Sequence, residues 1–299
     1  MSDAQLSICI PTHNRWEFLK WTLGKLRRDF PSAEICVSDN ASADDTWRLR
    51  FLGQIRIDCA VNRVIHQPEN IGPFPNMFAA LSLATRQYAV YSADDDYLLP
   101  AGIARGIAYL DSHPDVAAYC APCEIWNEVE QTPFWNAWGI DEPTTFTDHR
   151  LLWNFIIEKH VWPEHVIYRL PLPLKPRTRA YWAFADLPDI LEHGHIHFDP
   201  TPFYRNLLVH PVGERVQLGN VQCLTYFDEY RAGLEVLAYG LFGPQPHHGR
   251  QKLQDMIASF ICSRMDVAAR LYLRQGHEAD AIMLKKRIAV ADPRPDIAA

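Results

Sequence analysis

The first 120 residues alternate short apolar runs with segments whose apolar residues recur every three or four positions. An apolar run bounded by turn residues predicts a buried strand, and the longer repeat predicts an amphipathic helix. Strands are predicted at residues 6–10, 33–37, 64–66, 88–91 and 116–120. Helices are predicted over residues 17–29, around Trp47, Leu49 and Phe51, through Met77, Phe78, Leu81 and Leu83, and from Pro100 through Ile103, Ile107 and Leu110. This alternation predicts an α/β fold with a mostly parallel sheet flanked by helices.

The rest of the chain has a different pattern. Residues 121–176 are rich in tryptophan and proline and show no clear period. A helix is predicted at residues 187–192, and strands at 196–198 and 203–208. Residues 221–241, 251–273 and 277–290 carry helical periodicity without strand signals. We therefore expect an α/β domain over residues 1–218 and a helical C-terminal appendage over residues 219–299.

Composition and charge exclude several classes of protein. Hydrophobic residues make up 48% of the chain and charged residues 22%, which is typical of a folded protein. The formal net charge of -7 argues against a nucleic-acid partner, because phosphate backbones are bound by concentrated positive charge. The seven scattered cysteines and the absence of a signal-peptide pattern predict a cytoplasmic protein. No apolar stretch reaches membrane-spanning length, so any membrane contact is expected to be peripheral, at the inner face.

Three consecutive aspartates, Asp94, Asp95 and Asp96, follow the predicted strand at residues 88–91. Like charges at short range disfavour one another, and a cation would relieve this. Mg²⁺ and Mn²⁺ prefer such oxygen ligands and complete their shell with water and substrate phosphates, so a diphosphate is the natural partner. The alternative is that these carboxylates only cap the following helix.

Four motifs occur in a characteristic order within the first hundred residues. They are residues 7–15 (SICIPTHNR), 37–42 (VSDNAS), 69–72 (ENIG) with Asn76, and 92–100 (SADDDYLLP). Together they resemble family 2 glycosyltransferases, which have the GT-A fold. The resemblance implies a Rossmann-like nucleotide-binding half at about residues 1–120 and an acceptor half at about residues 121–218.

The resemblance also implies which residues bind the nucleotide-sugar donor. The expected contacts are Pro11, Thr12, Asn14, Asp39, Asn40, Asn70, Gly72, Asn76 and Asp94. The alternative for these loop residues is that their polar groups satisfy nearby backbone, and that Gly72 with Pro73 forms only a turn.

For the metal ion, the family pattern of two aspartates separated by one residue is altered here, because Ala93 stands at the first acidic position. The resemblance assigns Mg²⁺ or Mn²⁺ to Asp95, with Asp96 and His210 as further ligands. His210 and Arg205 are also candidates for neutralising the departing diphosphate.

For the acceptor, an inverting enzyme needs a carboxylate that removes a proton from the attacking hydroxyl. The family position corresponds to Asp186, with Asp189 and Glu192 as competitors and helix capping as the alternative role. The aromatic residues Trp126, Phe134, Trp135 and Trp138 are expected in the core, or as a platform for sugar rings.

The sequence therefore predicts a glycosyltransferase that moves a sugar from a nucleoside diphosphate sugar to a glycan or lipid-linked hydroxyl acceptor, in surface polysaccharide or glycan assembly. Two alternatives stay open: a catalytically silent nucleotide-sugar-binding protein, which Ala93 favours, and a nucleotidyltransferase. The latter should show a glycine-rich phosphate loop, which residues 11–15 do not resemble. The apolar stripe of the appendage, which includes Met256, Phe260 and Leu271, predicts internal packing, a homo-oligomer or a peripheral membrane contact.

Overall fold

The computed structural model describes residues 3–46, 62–171, 179–214, 223–243 and 249–292. The predicted helix around Trp47, Leu49 and Phe51 lies outside these residues. Two compact units are distinguished. The first contains residues 1–147, 162–176 and 189–215, and the second contains residues 148–161, 177–188 and 216–299. The predicted boundary at residue 218 stays a prediction.

The first unit holds the strands of the described chain. They are β1 (Leu6–Thr12), β2 (Glu34–Asp39), β3 (Arg63–His66), β4 (Tyr88–Tyr91), β5 (Tyr97–Leu98), β6 (Val116–Cys120), β7 (Cys123–Asn127), β8 (Thr132–Asn136), β9 (Thr144–Phe146), β10 (Val166–Arg169), β11 (His195–Phe198) and β12 (Tyr204–Val209). One sheet has the order β3-β2-β1-β4-β10-β6-β11-β9, and a smaller sheet has the order β5-β12-β7-β8. In the large sheet, β10 and β9 run antiparallel to their neighbours and the other pairings are parallel.

The two faces of β1 and β2 are both buried, which explains their nearly continuous apolar sequences. On one face, Ile8 and Ile35 belong to the large core. On the other face, Cys9, Cys36 and Ala89 pack with Ala80 in a smaller cluster. The parallel α/β arrangement predicted for the first hundred residues is confirmed.

One boundary differs from the prediction: β1 continues through Pro11 to Thr12 rather than ending at Ile10. Thr12 O accepts a hydrogen bond from Asn40 N on the β2 side, so Pro11 faces the β4 side. The pairing of β4 with β1 extends only to Cys9. The missing N–H of Pro11 is therefore not needed by the sheet.

The helices of the first unit connect these strands. They are α1 (Trp16–Asp29), α2 (Pro73–Leu81), α3 (Pro100–Ser112) and most of α6 (Leu187–His193). Both α2 and α3 begin at a proline, which is favourable because the first helical N–H has no intrahelical acceptor. Gly102 of α3 is tightly packed, since a Cβ there would lie 2.5 Å from Phe203 Cα.

The second unit is helical. It contains α4 (His149–Glu158), α5 (Trp182–Ala185), α7 (Cys223–Phe242), α8 (Arg250–Arg274) and α9 (Glu278–Ala291). Gly233 allows α7 to approach α5 closely, because a Cβ there would lie 2.6 Å from Tyr181 O. Phe184 and His160 both pack on the ring of Phe260. The predicted C-terminal helices are thus present, and none of the helices in the described ranges is long and apolar enough to cross a membrane.

Candidate functional site

The three consecutive aspartates fill the loop between β4 and β5. The preceding Ser92 N still donates to Cys9 O of β1, at 3.0 Å. The loop therefore lies at the carboxyl ends of parallel strands, where ligands bind in open α/β sheets. Asp94, Asp95 and Asp96 are buried, with 4%, 1% and 3% of their surface exposed. Carboxylates buried to this extent need hydrogen-bond donors or a cation.

Asp94 and Asp95 both face the side chain of Arg15. Asp94 Oδ2 accepts a hydrogen bond from Thr12 Oγ1 at 2.7 Å, and its Oδ1 lies 3.4 Å from Arg15 Nη1. Arg15 Nη2 donates to Asp95 Oδ2. The guanidinium also lies over the ring of Phe18, 4.8 Å from its centroid. Two buried carboxylates thus converge on one positive group.

Asp96 is directed to the smaller sheet. Its Oδ1 accepts from Leu207 N at 3.0 Å, and its Oδ2 accepts from Tyr204 Oη at 2.8 Å and from Asn206 Nδ2 at 3.3 Å. Tyr204 Oη in turn accepts from Ala93 N at 2.9 Å. The two ends of the acidic loop are therefore fixed by one tyrosine of β12.

Tyr204 is buried, with 1% of its surface exposed. Burial, followed by the charge of Asp96, raises the pKa of the Tyr204 hydroxyl, so it stays protonated and donates. The ring of His165 lies 4.0 Å from that of Tyr204, and burial lowers the pKa of His165 to about 3. His165 is therefore neutral at physiological pH, and it adds no positive charge to the acidic loop.

The loops after β1 and β2 are joined through Asn14. Asn14 N donates to Ser42 Oγ at 2.8 Å, and Asn14 Oδ1 accepts from Ala43 N at 2.7 Å. Asn14 has a left-handed backbone, with φ 52°, which asparagine tolerates better than most residues. The predicted donor-binding residue Asn14 thus organises two loops.

A second set of amide contacts joins the loop after β2 to the segment before α2. Asn40 Nδ2 donates to Asn70 Oδ1 at 2.9 Å, and Asn40 Oδ1 accepts from Ile71 N at 2.8 Å. Gly72 adopts φ 91°, and its N–H donates to Asn70 Oδ1 at 2.9 Å. His13 Nε2 lies 3.2 Å from the side-chain nitrogen of Asn70 and also 3.2 Å from that of Asn14, so it links both sets.

Asp39 and Asn76 are buried beneath these loops. Asp39 Oδ2 lies 3.0 Å from His66 Nδ1, and its Oδ1 accepts from Ser42 N at 3.1 Å. Asn76 of α2 accepts from Ser38 Oγ at 2.7 Å and donates to Ser38 O at 3.0 Å. Sequence reasoning missed His66, although it ends β3 and is the register partner of Asp39 in the parallel pairing.

His210 follows β12 and is 5% exposed. Its ring packs between Phe18 and Trp21, at centroid distances of 4.9 and 4.5 Å. Its Nδ1 accepts from Val212 N at 3.1 Å, which places the ring proton on Nε2. Arg205, the other candidate, pairs with Glu124 at 2.8 Å on the smaller sheet.

The aromatic cluster predicted in the middle of the chain divides into two kinds of residue. Trp138 is 6% exposed, and its Nε1 donates to Trp162 O at 2.9 Å, so it belongs to the core. Trp126 is half-buried and carries the Arg205 guanidinium 3.7 Å above its ring. Phe134 and Trp135 of β8 are 44% and 57% exposed.

Asp186, the predicted base, belongs to the second unit. It ends α5, where its N–H donates to Trp182 O at 2.9 Å, and its side chain is buried. The competitors Asp189 and Glu192 lie in α6 and are more exposed. A further carboxylate that the sequence did not single out is Glu229 of α7. Burial raises its pKa, and its Oε2 has no hydrogen-bond partner among the described residues.

The acidic loop offers two carboxylates that could hold a divalent ion. In the described part of the chain, no three His, Cys, Asp or Glu side chains form a metal-binding group. Mg²⁺ and Mn²⁺ are nevertheless commonly bound by one or two carboxylates together with substrate phosphates. Asp94 and Asp95 fit that pattern because both already face a cation, the Arg15 guanidinium. Metal binding by Asp96 and His210 stays a prediction.

The family described as Glycosyl transferase family 2 matches residues 7–170, which is more than half of the 299 residues. The chain belongs to glycosyl transferase family 2. The match covers the four motifs and the acidic loop, and it confirms the resemblance seen in the sequence.

Known proteins of similar sequence match this chain only in part. Abequosyltransferase RfbV of Salmonella typhimurium (strain LT2) is 36% identical over 120 residues, which cover 37% of this chain and 34% of the relative. Uncharacterized protein Rv1520 of Mycobacterium tuberculosis (strain H37Rv) is 28% identical over 124 residues, which cover 40% of this chain and 35% of the relative. The chain thus spans about a third of the length of these relatives.

Solved glycosyltransferase structures share the fold. Residues 1–349 of S. aureus TarS in complex with UDP align with a TM-score of 0.57 and 17% identity, covering 86% of this chain and 70% of that one. Mannosyltransferase PcManGT from Pyrobaculum calidifontis, in complex with GDP-Man and Mn²⁺, aligns with a TM-score of 0.56 and 14% identity, covering 98% and 77%. The predicted GT-A fold is confirmed.

Proposed function

We propose that this protein transfers a sugar from a nucleoside diphosphate sugar to a hydroxyl acceptor, with net inversion at the anomeric carbon. The observation that carries the proposal is the pair of buried carboxylates, Asp94 and Asp95, which both contact the Arg15 guanidinium. They lie at the carboxyl edge of the parallel strands. A diphosphate bound there needs positive charge, which a shared divalent ion supplies. Membership of glycosyl transferase family 2 supports the same reaction class.

We assign the donor to the loops that surround this pair. Asp95, supported by Asp94, would hold Mg²⁺ or Mn²⁺, which would neutralise charge on the diphosphate leaving group. Thr12 orients Asp94 through its hydroxyl. The loops tied together by Asn14, Asn40 and the adjacent Asn70 and Gly72 would form the walls for the nucleotide, and Asp39 would lie near its base.

On the acceptor side, Asp186 would remove the proton of the attacking hydroxyl. Its place at the end of α5, in the segment where the family resemblance expects the base, supports this role. Phe134 and Trp135 expose two aromatic rings on β8, and such rings suit the C–H faces of a glycan acceptor. We place the protein in the cytoplasm, with a lipid-linked or glycan acceptor in surface polysaccharide assembly. The thiols of Cys9, Cys36 and Cys120 form no disulfide, which fits a reducing compartment.

The first experiment identifies the donor nucleotide. Thermal unfolding of the purified chain is measured with UDP, dTDP, GDP and CMP, each with and without Mn²⁺. One nucleotide should raise the unfolding temperature, and Mn²⁺ should increase the effect. Turnover of the matching nucleotide sugar, alone and with glycan acceptors, is then measured. Binding without any turnover would favour the catalytically silent protein, for which Ala93 is the supporting observation.

The second experiment tests the residue roles. Asp95→Asn should lose most donor turnover, and Asp186→Asn should lose transfer to an acceptor more than donor binding. Asp115→Asn is the matched control, because Asp115 is an exposed carboxylate that contacts His195. Asp189→Asn separates the rival base from Asp186. Full turnover in both Asp95→Asn and Asp186→Asn would show that these roles are wrongly assigned.

A further inference from the structure

Arg15 contacts the two aspartates that the proposed function assigns to the divalent ion. Its Nη2 donates to Asp95 Oδ2, and its Nη1 lies 3.4 Å from Asp94 Oδ1. A divalent ion on these carboxylate oxygens would lie close to the guanidinium, and two positive charges at that distance repel each other in a buried site. Arg15 and a metal ion therefore compete for this position.

The exposure of the three side chains differs sharply. The side chain of Asp95 is 1% exposed and that of Asp94 is 6% exposed, whereas that of Arg15 is 29% exposed. The two carboxylates are buried, and Arg15 is the partly exposed member of the cluster. Solvent therefore reaches Arg15 more readily than it reaches either carboxylate.

The chemistry of arginine suits a second partner at this place. Its planar fork of donors matches carboxylates and phosphates equally well and stays charged at all physiological pH values. The ring of Phe18, 4.8 Å from the guanidinium carbon, provides a surface that holds the charge without fixing its direction. A rotation of the Arg15 side chain across the face of the Phe18 ring would move the guanidinium away from the carboxylates. The guanidinium would keep its contact with the ring.

We propose that Arg15 is an exchangeable counter-ion: it neutralises Asp94 and Asp95 before the donor binds, and it moves to the donor diphosphate when a divalent ion takes its place on the carboxylates. This inference rests on the proposed function, because it requires that a diphosphate and a divalent ion bind here. It makes metal and nucleotide binding mutually dependent. Metal alone must displace Arg15 without offering it a new partner, whereas metal with a nucleoside diphosphate offers it the phosphates.

The first measurement is Mn²⁺ binding in the absence of nucleotide. Binding is monitored as a loss of the electron paramagnetic resonance signal of free Mn²⁺. Arg15→Gln should bind Mn²⁺ at least about tenfold more tightly than the unsubstituted chain, because a charge-assisted hydrogen bond no longer has to be broken. Arg28→Gln is the matched control. Arg28 lies in α1, the helix that follows Arg15, is 62% exposed and pairs with Asp29, so its removal changes net charge equally without touching Asp94 or Asp95.

The second measurement is nucleoside diphosphate binding by calorimetry, with and without Mn²⁺. With saturating Mn²⁺, Arg15→Gln should bind the nucleotide about tenfold more weakly, because the guanidinium is lost from the phosphates. The factor by which nucleotide raises Mn²⁺ affinity should also be smaller in Arg15→Gln than in the unsubstituted chain. Arg15→Lys keeps the charge without the fork and should be intermediate in both measurements.

Thermal unfolding checks that the variants are folded, and Arg15→Lys replaces Arg15→Gln as the decisive variant if the latter does not fold. Equal Mn²⁺ affinity in the unsubstituted chain and in both variants, with nucleotide binding intact, would overturn the counter-ion and leave the proposed function standing; Arg15 would then be a fixed ion pair. Absence of nucleotide binding in every protein would overturn the proposed function itself. Absence of Mn²⁺ binding in Arg15→Gln would overturn both the metal assignment and the exchange.

Discussion

Replacing Tyr204 by phenylalanine removes a single oxygen atom that holds both ends of the acidic loop. That oxygen donates to Asp96 Oδ2 at 2.8 Å and accepts from Ala93 N at 2.9 Å, and the tyrosine is 1% exposed. Phenylalanine keeps the ring and its packing but leaves a buried N–H without an acceptor. The substitution therefore tests the two hydrogen bonds rather than the shape of the core.

The expected cost follows from the type of each bond. A hydrogen bond to a charged group contributes about 1.5–3 kcal/mol, and an unsatisfied buried amide costs about 1–3 kcal/mol. Asp96 keeps two other donors, from Asn206 and Leu207, so values near the lower ends apply and the total is about 3 kcal/mol. A protein of ordinary stability would remain folded after such a loss.

Urea unfolding followed by circular dichroism measures this loss, with donor turnover assayed in parallel. Tyr109→Phe is the matched control, because the Tyr109 hydroxyl contacts the neutral Thr145 Oγ1, at 3.0 Å and near the surface. The control should lose less than about 1 kcal/mol and keep full turnover. If Tyr204→Phe is no less stable than Tyr109→Phe, then the tyrosine does not hold the loop and the reasoning is refuted.

Two further predictions concern stability. Burial lowers the pKa of His165 to about 3 and that of His197 to about 4, below the ordinary value of about 6.5. Between the folded and the ordinary pKa of each histidine, the unfolded chain therefore binds more protons than the folded chain. The unfolding free energy should therefore fall as the pH falls from 6.5 to 5, with a slope that approaches about 1.4 kcal/mol per pH unit for His165 and is smaller for His197; a flat stability curve from urea unfolding over this range would contradict the burial argument. Gly102→Ala should cost at least about 2 kcal/mol, because its Cβ would lie 2.5 Å from Phe203 Cα, whereas Gly24→Ala, with open space around it, should gain about 0.5–1 kcal/mol in helix α1. Equal melting temperatures for these two glycine variants would show that α3 can shift without loss.

The part of the fold that the sequence predicts well is the part where local patterns and final burial agree. Strands β1, β2 and β4 contain the apolar runs 8–10, 35–37 and 88–91 because both faces of the sheet are covered there, and the C-terminal helices keep their period over many turns. β10 was missed because its four residues lie between prolines and pair with β4 and β6, far away along the chain. β8 was missed because all five of its residues are exposed, although two are large aromatics, so no alternation marks it.

In the candidate site, too, the sequence predicts the features that follow from local motifs and misses the contacts between distant residues. Sequence motifs placed Thr12, Asp94 and Asp95 in loops that should meet at one sheet edge, and the structure brings them into contact. They did not indicate that Arg15 covers the carboxylates or that Tyr204, more than a hundred positions away, ties the loop. Such contacts depend on which side chains the completed fold brings together, and no local spacing encodes them.

The amide contacts around Asn14, Asn40 and Asn70 have a consequence for redesign. Each of the three loops at the sheet edge uses a side chain of another loop to satisfy its own backbone, as Asn14 does for Ala43 and Asn40 for Ile71. Grafting one loop from a homologue would leave orphaned donors in the other two. Donor preference in this scaffold should therefore be exchangeable only when all three loops are transplanted as a unit, and single-loop chimaeras should lose folding before they change specificity.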